Sequence, residues 1–303
     1  MPATDRIIEI AETSAFLSLE NHLLKIRLPS GPPVTVPVKE VQCLILANPA
    51  LTVTGSLLAA LAAEGCMVLV SGPNRLPAAM QLPLEGNYVQ TQRFLAQINA
   101  PKPLSKRLWQ IIVREKILNQ ARLLIKLNGT DAGLSELAKK VRSGDPDNLE
   151  GRAAVIYWKN LFGEPFRRDR DVPDSNLLLN YGYAVLRAMA ARSCCAAGLH
   201  PTIGLHHHNQ YDPFCLADDL MEPFRPVVDR IVCMLNRGNS PVDELGREHR
   251  RALIQGLLDT RLPSSKGRCL LPDLLHLYAG QIVSSFLEGE VRLSFRHPDP
   301  SSS

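Results

Sequence analysis

At 303 residues the chain has room for about two domains and a sizeable core. Its net charge of +4 and pI of 8.7 are mildly basic, compatible with a polyanionic partner but too small to require one. Seven cysteines, an odd number with no C-x-x-C spacing and with Cys194 and Cys195 adjacent, argue against a disulfide framework and for the reduced thiols of a cytoplasm. The opening MPATDRIIEI lacks a basic region followed by an apolar core, and the apolar window at 51–70 is interrupted by Glu64 and Gly65. Neither a secretory signal nor a membrane span is expected.

Residues 6–84 read mainly as strand. Leu24, Ile26 and Leu28 alternate with Lys25 and Arg27, Val34, Val36 and Val38 alternate with Thr35 and Pro37, and the turn-rich Pro29-Ser30-Gly31-Pro32-Pro33 lies between them, so a half-buried hairpin is expected. The continuous apolar run 41–46 predicts a buried strand, Thr54 predicts the cap of a short helix stopping at Gly65, and 66–70 predicts another buried strand. No residue here suggests catalysis, and 1–85 is expected to be a β-rich dimerisation or assembly domain.

After Glu85-Gly86-Asn87 the pattern becomes helical, and 86–290 is expected to be an all-α catalytic domain. Over 104–127, Lys106, Arg107, Arg114, Lys116 and Arg122 interleave with regularly spaced Leu and Ile. Such a helix can lie along phosphates or simply carry solvated cations. Asp147-Asn148-Leu149-Glu150 has the form of a capping box, a structural reason for Glu150, while the small residues Gly151, Ala153 and Ala154 leave space beside that carboxylate. The loop 162–175 carries Arg167, Arg168 and Arg170 among aspartates and is expected to be exposed. A helix is expected over 174–197, bearing Asn180, Tyr181 and Tyr183 and stopped by Gly198.

The stretch 198–226 is the densest in potential metal ligands: His206, His207 and His208, then Asp218, Asp219 and Glu222. Apolar spacing from Phe214 to Ile231 predicts one helix, on which either aspartate can share a face with Glu222. Oxygen ligands suit Mg²⁺ or Mn²⁺, and an imidazole tilts the choice towards Mn²⁺ or a tolerant Mg²⁺ site. Taken alone, the acids also fit a solvated turn. Farther on, 240–244 predicts the start of a helix with His249, Arg250 and Arg251 on its polar face, LPSSKGR reads as a loop, 271–287 as a last amphipathic helix, and 291–303 as a flexible tail. Neither a phosphate-cradling P-loop nor a dinucleotide fingerprint is present.

Several motifs in this order resemble one family. They are Leu149-Glu150-Gly151-Arg152-Ala153-Ala154 with Tyr157-Trp158, then Asn176-x-x-Leu179-Asn180-Tyr181-Gly182-Tyr183-Ala184-x-Leu186, then G-L-x-H at 204–207 and L-A-x-D-L-M-E-P-F-R-P-x-V-D at 216–229. The pattern resembles the CRISPR-associated spacer integrase, the metal-dependent endonuclease and integrase subunit of the adaptation machinery, in its type II branch. The resemblance implies an α+β protein with a small β-rich N-terminal domain and a larger α-helical one. It further implies Glu150, His207 and Glu222 as catalytic ligands of Mg²⁺ or Mn²⁺, with Asp219 as a secondary or orienting group and Asn180 and Tyr181 behind them. Many relatives carry Asp where Glu222 stands, and only G-L-x-H selects His207 over His206 or His208. The implied partners are double-stranded and branched DNA (prespacer and CRISPR repeat), a second copy in a homodimer, and a small CRISPR-associated subunit completing a heterohexamer. The alternatives are a non-catalytic DNA-binding scaffold and a metal-dependent hydrolase of another substrate.

Overall fold

The computed structural model describes residues 6–72, 77–83, 87–164, 166–169, 171–172, 174–236, 245–264 and 267–295. It forms two compact units, Met1–Tyr88 and Val89–Ser303, strand-rich in the first and helical in the second.

In the first unit, β1 (Arg6–Ile10), β5 (Val41–Leu46) and β7 (Met67–Ser71) are parallel, with β8 (Pro77–Gln81) antiparallel at the edge. A second sheet has the order β4 (Val34–Pro37), β3 (Leu23–Arg27), β2 (Phe16–Glu20), β6 (Thr52–Val53). The expected hairpin is β3–β4, with Leu24 opposite Val36 and Ile26 opposite Val34. Every residue of β5 is buried, as its unbroken apolar run requires. Thr54 caps α1 (Gly55–Ala63) by accepting from the Leu57 amide, and Leu57 and Leu61 close the core over Leu17, Leu24, Leu44 and Val68. The β2–β3 turn had a signal that the alternation overlooked: Asn21 and His22 both have positive φ, the backbone of a two-residue hairpin that Asn tolerates.

The second unit is built around α3 (Lys102–Asn128) and α6 (Ser175–Ala196). Burial on several sides of α3, at Leu104, Leu108, Trp109, Ile112, Val113, Ile117, Ala121 and Leu124, makes it a central helix rather than a basic strip laid on the surface. Around these pack α2 (Gln90–Ile98), α4 (Leu134–Lys139), α5 (Leu149–Phe162), α7 (Cys215–Met221), α8 (Arg225–Asn236), α9 (Arg247–Asp259) and α10 (Leu271–Glu288). A Cβ on Gly182 of α6 would overlap Val228 Cγ1, so the glycine in the Asn-Tyr-Gly-Tyr motif lets α6 and α8 cross closely. Among the described residues no helix is long and apolar enough to cross a membrane.

Four expectations change. The helix expected from Phe214 to Ile231 is interrupted: α7 ends at Met221, Glu222–Phe224 is a 3₁₀ turn, and α8 follows. Pro223 and Pro226 lack the N–H groups a continuous helix needs, and the carbonyl of Pro223 is taken instead by the Asn119 side chain at 2.8 Å. The ends of LPSSKGR are strands, β9 (Arg261–Ser264) pairing antiparallel with β10 (Gly267–Leu270), and Ser265 and Lys266 lie outside the described residues. Arg250 is fully buried and donates to the Leu245 carbonyl, whereas the helix start expected at 240–244 lies outside the described residues. The tail expected from 291 begins by folding back: Leu293 is buried, Ser294 N donates to Gln281, and Phe295 packs on Tyr278, with 296–303 outside the described residues.

Asp229 of α8 ties the unit together. Its carboxylate accepts from Tyr157 of α5 at 2.7 Å and from Tyr183 of α6, all three being buried. Burial outweighs these two donors and lifts the Asp229 pKa from 3.8 to about 6. Between those values the folded chain binds a proton here that the unfolded chain releases. Asp229 therefore favours the fold on acidification, and that contribution is lost as pH rises through about 6. Asp229→Asn should remove this component: the gain in wild-type stability from about pH 7 to about pH 4.5 should exceed the variant's by about 2 kcal/mol in urea unfolding. Equal gains in the two proteins would contradict the assignment.

Candidate active site

Trp109 and Lys116 lie seven residues apart on α3, hence on one face and about 10 Å apart along the axis. The candidate site residues gather at these two points.

At Lys116, two carboxylates from distant parts of the chain meet one ammonium. Lys116 Nζ lies 2.5 Å from Glu150 Oε1 and 2.6 Å from Glu222 Oε2, with the lysine side chain only 13% exposed. Burial would lower the Lys116 pKa, but the Glu222 and Glu150 carboxylates override it and raise it, keeping the ammonium charged. Glu222 is buried and pushed well below the usual carboxylate range: burial opposes its ionisation, and Arg225 and Lys116 together overcome that. Arg225 donates to Glu222 Oε1 at 2.8 Å and stacks over the Tyr183 ring at 4.6 Å, which fixes its guanidinium.

Glu150 is available because other residues cap α5. The expected capping box would have set Asp147 as N-cap and Glu150 at the third helical position. Instead Asn148, in a left-handed conformation, is the N-cap and accepts from the Gly151 amide. Asp145 accepts from the amides of Leu149 and Glu150 at 2.9 and 3.0 Å, so the helix end is satisfied without the Glu150 side chain. Gly151 has its own reason for being small: a Cβ there would come within 2.8 Å of the Asn148 amide group.

At the Trp109 end lies the histidine stretch. The His206 ring stacks on Trp109 at 4.3 Å and the His207 ring meets its edge at 5.5 Å. Asp219, fully buried, organises the segment. Its Oδ2 accepts from the amides of Leu205 and His206 at 2.5 and 3.1 Å, while Oδ1 takes the His207 amide at 3.4 Å and pairs with His207 Nδ1 at 2.6 Å. That pairing raises the His207 pKa, whereas burial lowers that of His206. With Nδ1 engaged, Nε2 is the ring nitrogen His207 can present to a ligand. Gly204 makes the turn possible, since a Cβ there would strike the His207 carbonyl oxygen and lie 2.9 Å from Asp219 Oδ2. The G-L-x-H motif thus has a local physical cause.

The acids are not a solvated turn. Asp218, Asp219 and Glu222 are all buried, and Asp218 forms a two-pronged pair with Arg187 at 2.6 Å, with burial lifting its pKa to about 6. Glu150 and Glu222 are brought together at Lys116, whereas His207, from the segment before α7, packs on Trp109 at the other end of that α3 face. Among the described residues, however, no three His, Cys, Asp or Glu side chains stand close enough together to hold a metal ion as they are. Asn180 accepts from Arg168 at 2.7 Å, and Arg168 also donates to Asn176, so this arginine is docked on α6 rather than held out in a solvated loop; Arg170 lies outside the described residues. Tyr181 is buried in α6, and the motif's second tyrosine, Tyr183, reaches Asp229 and Arg225. Sequence reasoning grouped Lys116 with the surface cations, and nothing in its spacing separates it from Arg114 or Arg122. It also passed over Arg225, whose signal was present in M-E-P-F-R-P, and Trp109.

The donor set fits a hard divalent cation. Two carboxylates from distant segments already share one positive charge, Lys116 Nζ at 2.5 and 2.6 Å, and carboxylate oxygens are the ligands such an ion takes.

The family model described as CRISPR associated protein Cas1 matches residues 8–249. The CRISPR-associated endonuclease Cas1 of Neisseria meningitidis serogroup C (strain 8013) is 42% identical over 222 residues, 72% of each chain. That of Korarchaeum cryptofilum (strain OPF8) is 28% identical over 306 residues, covering 86% of this chain and 89% of the relative. Among solved structures, a casposase bound to its integration product shares the fold with a TM-score of 0.80 at 18% identity, over 96% of this chain and 93% of the casposase. A Cas1 protein of Thermotoga maritima does so with a TM-score of 0.76 at 18% identity, over 96% of this chain and all of that one.

Removing the Asp219 carboxylate should release the histidine segment. Asp219→Ala leaves three amides and one imidazole without their acceptor, so a loss of about 3 kcal/mol or more in urea unfolding is expected. Amide exchange at 205–207 should accelerate while α3 keeps its protection. An unchanged exchange rate in that segment would show that Asp219 does not hold it.

Proposed function

Because this chain belongs to the CRISPR-associated Cas1 family, we propose that it is a divalent-metal-dependent DNA integrase and endonuclease of CRISPR adaptation. The observation that carries the reading is the buried convergence of Glu150 and Glu222 on one cation, beside a histidine whose ring is set by Asp219. Its reaction is transesterification: the 3′-hydroxyl ends of a short prespacer attack the strands of a CRISPR repeat, and the reverse step resolves branched DNA. The solved relatives named as a casposase bound to integration product, a Cas6-RT-Cas1–Cas2 complex and a TtCas1–DNA complex support DNA and a Cas2-type second subunit as partners. The working assembly in this reading is a homodimer joined with that subunit in a heterohexamer, and the β-rich first unit serves assembly. Assignment to the type II branch rests on the 216–229 motif and on Glu at 222.

Glu150, Glu222 and His207 through Nε2 are the residues that would hold Mg²⁺ or Mn²⁺, with Asp219 orienting the imidazole rather than ligating. Bound there, the ion would supply Lewis-acid stabilisation of the phosphoryl oxygens and of the attacking and departing oxygens. The protein's own part is positional. Arg225 and Lys116 keep Glu222 ionised against its burial, the Asp145 and Asn148 caps leave the Glu150 side chain free of helix-end duties, and Asp219 fixes which ring nitrogen of His207 is presented. Exposed Lys106, Arg107, Arg114 and Arg122 on α3 offer phosphate contacts whose contribution is salt-sensitive.

Glu150→Ala, His207→Ala and Glu222→Ala should each lower strand joining, and its reversal on branched DNA with Mn²⁺, by about 100-fold or more. DNA affinity should persist, and chelation should silence the wild type. Asp219→Asn should cost about 10- to 100-fold, as an orienting group does. Full joining by Glu150→Ala or His207→Ala would reject the ligand assignment. DNA binding with no metal-dependent joining in any protein would favour a scaffold, and turnover of a small substrate without DNA would favour another hydrolase.

A further inference from the structure

Among buried ion pairs of this chain, the one at Glu150 and Glu222 is unusual in what fills it. Lys116 Nζ touches one oxygen of each carboxylate, at 2.5 and 2.6 Å, from a helix that belongs to neither. We propose that Lys116 is a resident stand-in for the divalent ion, holding the two carboxylates in register in the metal-free protein and leaving them when the ion enters. The inference rests on the reading that Glu150 and Glu222 are metal ligands.

Charge balance is the first argument. Lys116 and Arg225 neutralise Glu150 and Glu222, so the metal-free set sums to zero. Without Lys116, the two carboxylates would face each other in a mostly buried setting with Arg225 as the remaining cation in contact, and their mutual repulsion would open the site. A dication arriving between them makes the set doubly positive, which expels the ammonium and at the same time favours an anion.

The second argument separates the two cations. Arg225 cannot readily move: its guanidinium stacks on Tyr183 and its Nε is bonded to Glu222. Lys116 is a point charge on a flexible four-carbon stem, and its side chain retains a 13% exposed path to solvent. The third argument is the division of contacts. The Lys116 ammonium meets one oxygen of each carboxylate, and Glu222 Oε1 is held separately by Arg225, so the lysine can withdraw while Arg225 still fixes Glu222. An occupant of this kind keeps the ligands assembled and can still be exchanged. Once displaced, the ammonium lies beside the same site and is placed to meet a phosphate oxygen of the substrate.

The test uses the full-length, metal-stripped protein without DNA. Free Mn²⁺ followed by electron paramagnetic resonance should show Lys116→Met binding about tenfold tighter than wild type, the size expected when one buried like charge is removed. Glu150→Ala and Glu222→Ala should lose that binding. Because Lys116→Met places two carboxylates together and can impair folding, a second measurement is made on the wild type. Acetylation by an amine-reactive reagent, read by mass spectrometry, should find Lys116 protected without divalent ion and labelled several-fold faster with saturating Mn²⁺. Lys139, 67% exposed, serves as the invariant reference. If Mn²⁺ binding depends on Glu150 and Glu222 but Lys116→Met binds no tighter and Lys116 labelling does not change, the stand-in role is overturned while the metal reading stands. If binding ignores Glu150 and Glu222, the metal reading itself has failed, and this inference with it.

Discussion

Two carboxylates drawn out of water onto a single ammonium are the constraint that the second unit is arranged to satisfy. Isolated, either would be expelled or protonated, since burial of an unpaired charge costs several kcal/mol even after relaxation. Glu150 opens α5 and Glu222 sits in the 3₁₀ turn before α8, and α3 runs past both carrying Lys116. The central position of α3 follows from this as much as from its leucines. A helix that must deliver one cation to a buried point needs its backbone held on several sides.

The irregular features of the chain each serve that convergence. Pro223 and Pro226 prevent α7 and α8 from forming one rod, and the resulting turn gives Glu222 a direction of its own, with Asn119 satisfying the carbonyl left over. Asp145 and Asn148 take over the amide ends of α5. Gly204 permits the backbone to wrap a buried aspartate closely enough that its carboxylate gathers three successive amides. In the Cas1 family's terms, the acidic and histidine motifs are held by polar groups that look incidental in the sequence.

Much of this was legible beforehand, and the division is physical. The β3–β4 hairpin, the buried β5 and the cap at Thr54 are local: alternation, an apolar run and a hydroxyl before a helix carry their own information. The order of motifs from 149 to 229 was likewise readable, and through it the candidate ligands. What could not be read were relations between segments remote in sequence. Lys116 looks like its neighbours Arg114 and Arg122 until the fold turns it towards Glu150 and Glu222. Arg250 had the spacing of a solvated face and is buried, and the pairing of β9 with β10 was hidden by a polar sequence that includes Gly267. The single helix expected over 214–231 is broken because two prolines override the apolar period.

Tyr157 follows Glu150 by seven residues, and Asp229 follows Glu222 by seven, so the buried hydroxyl-to-carboxylate contact sits at a matched depth behind both acids. Tyr183 fastens the same carboxylate to α6. Mechanically this is a rivet through three rods. The helix that carries Glu150 and the one that follows Glu222 are thereby joined to each other and to α6 at one buried point, which opposes their sliding lengthwise.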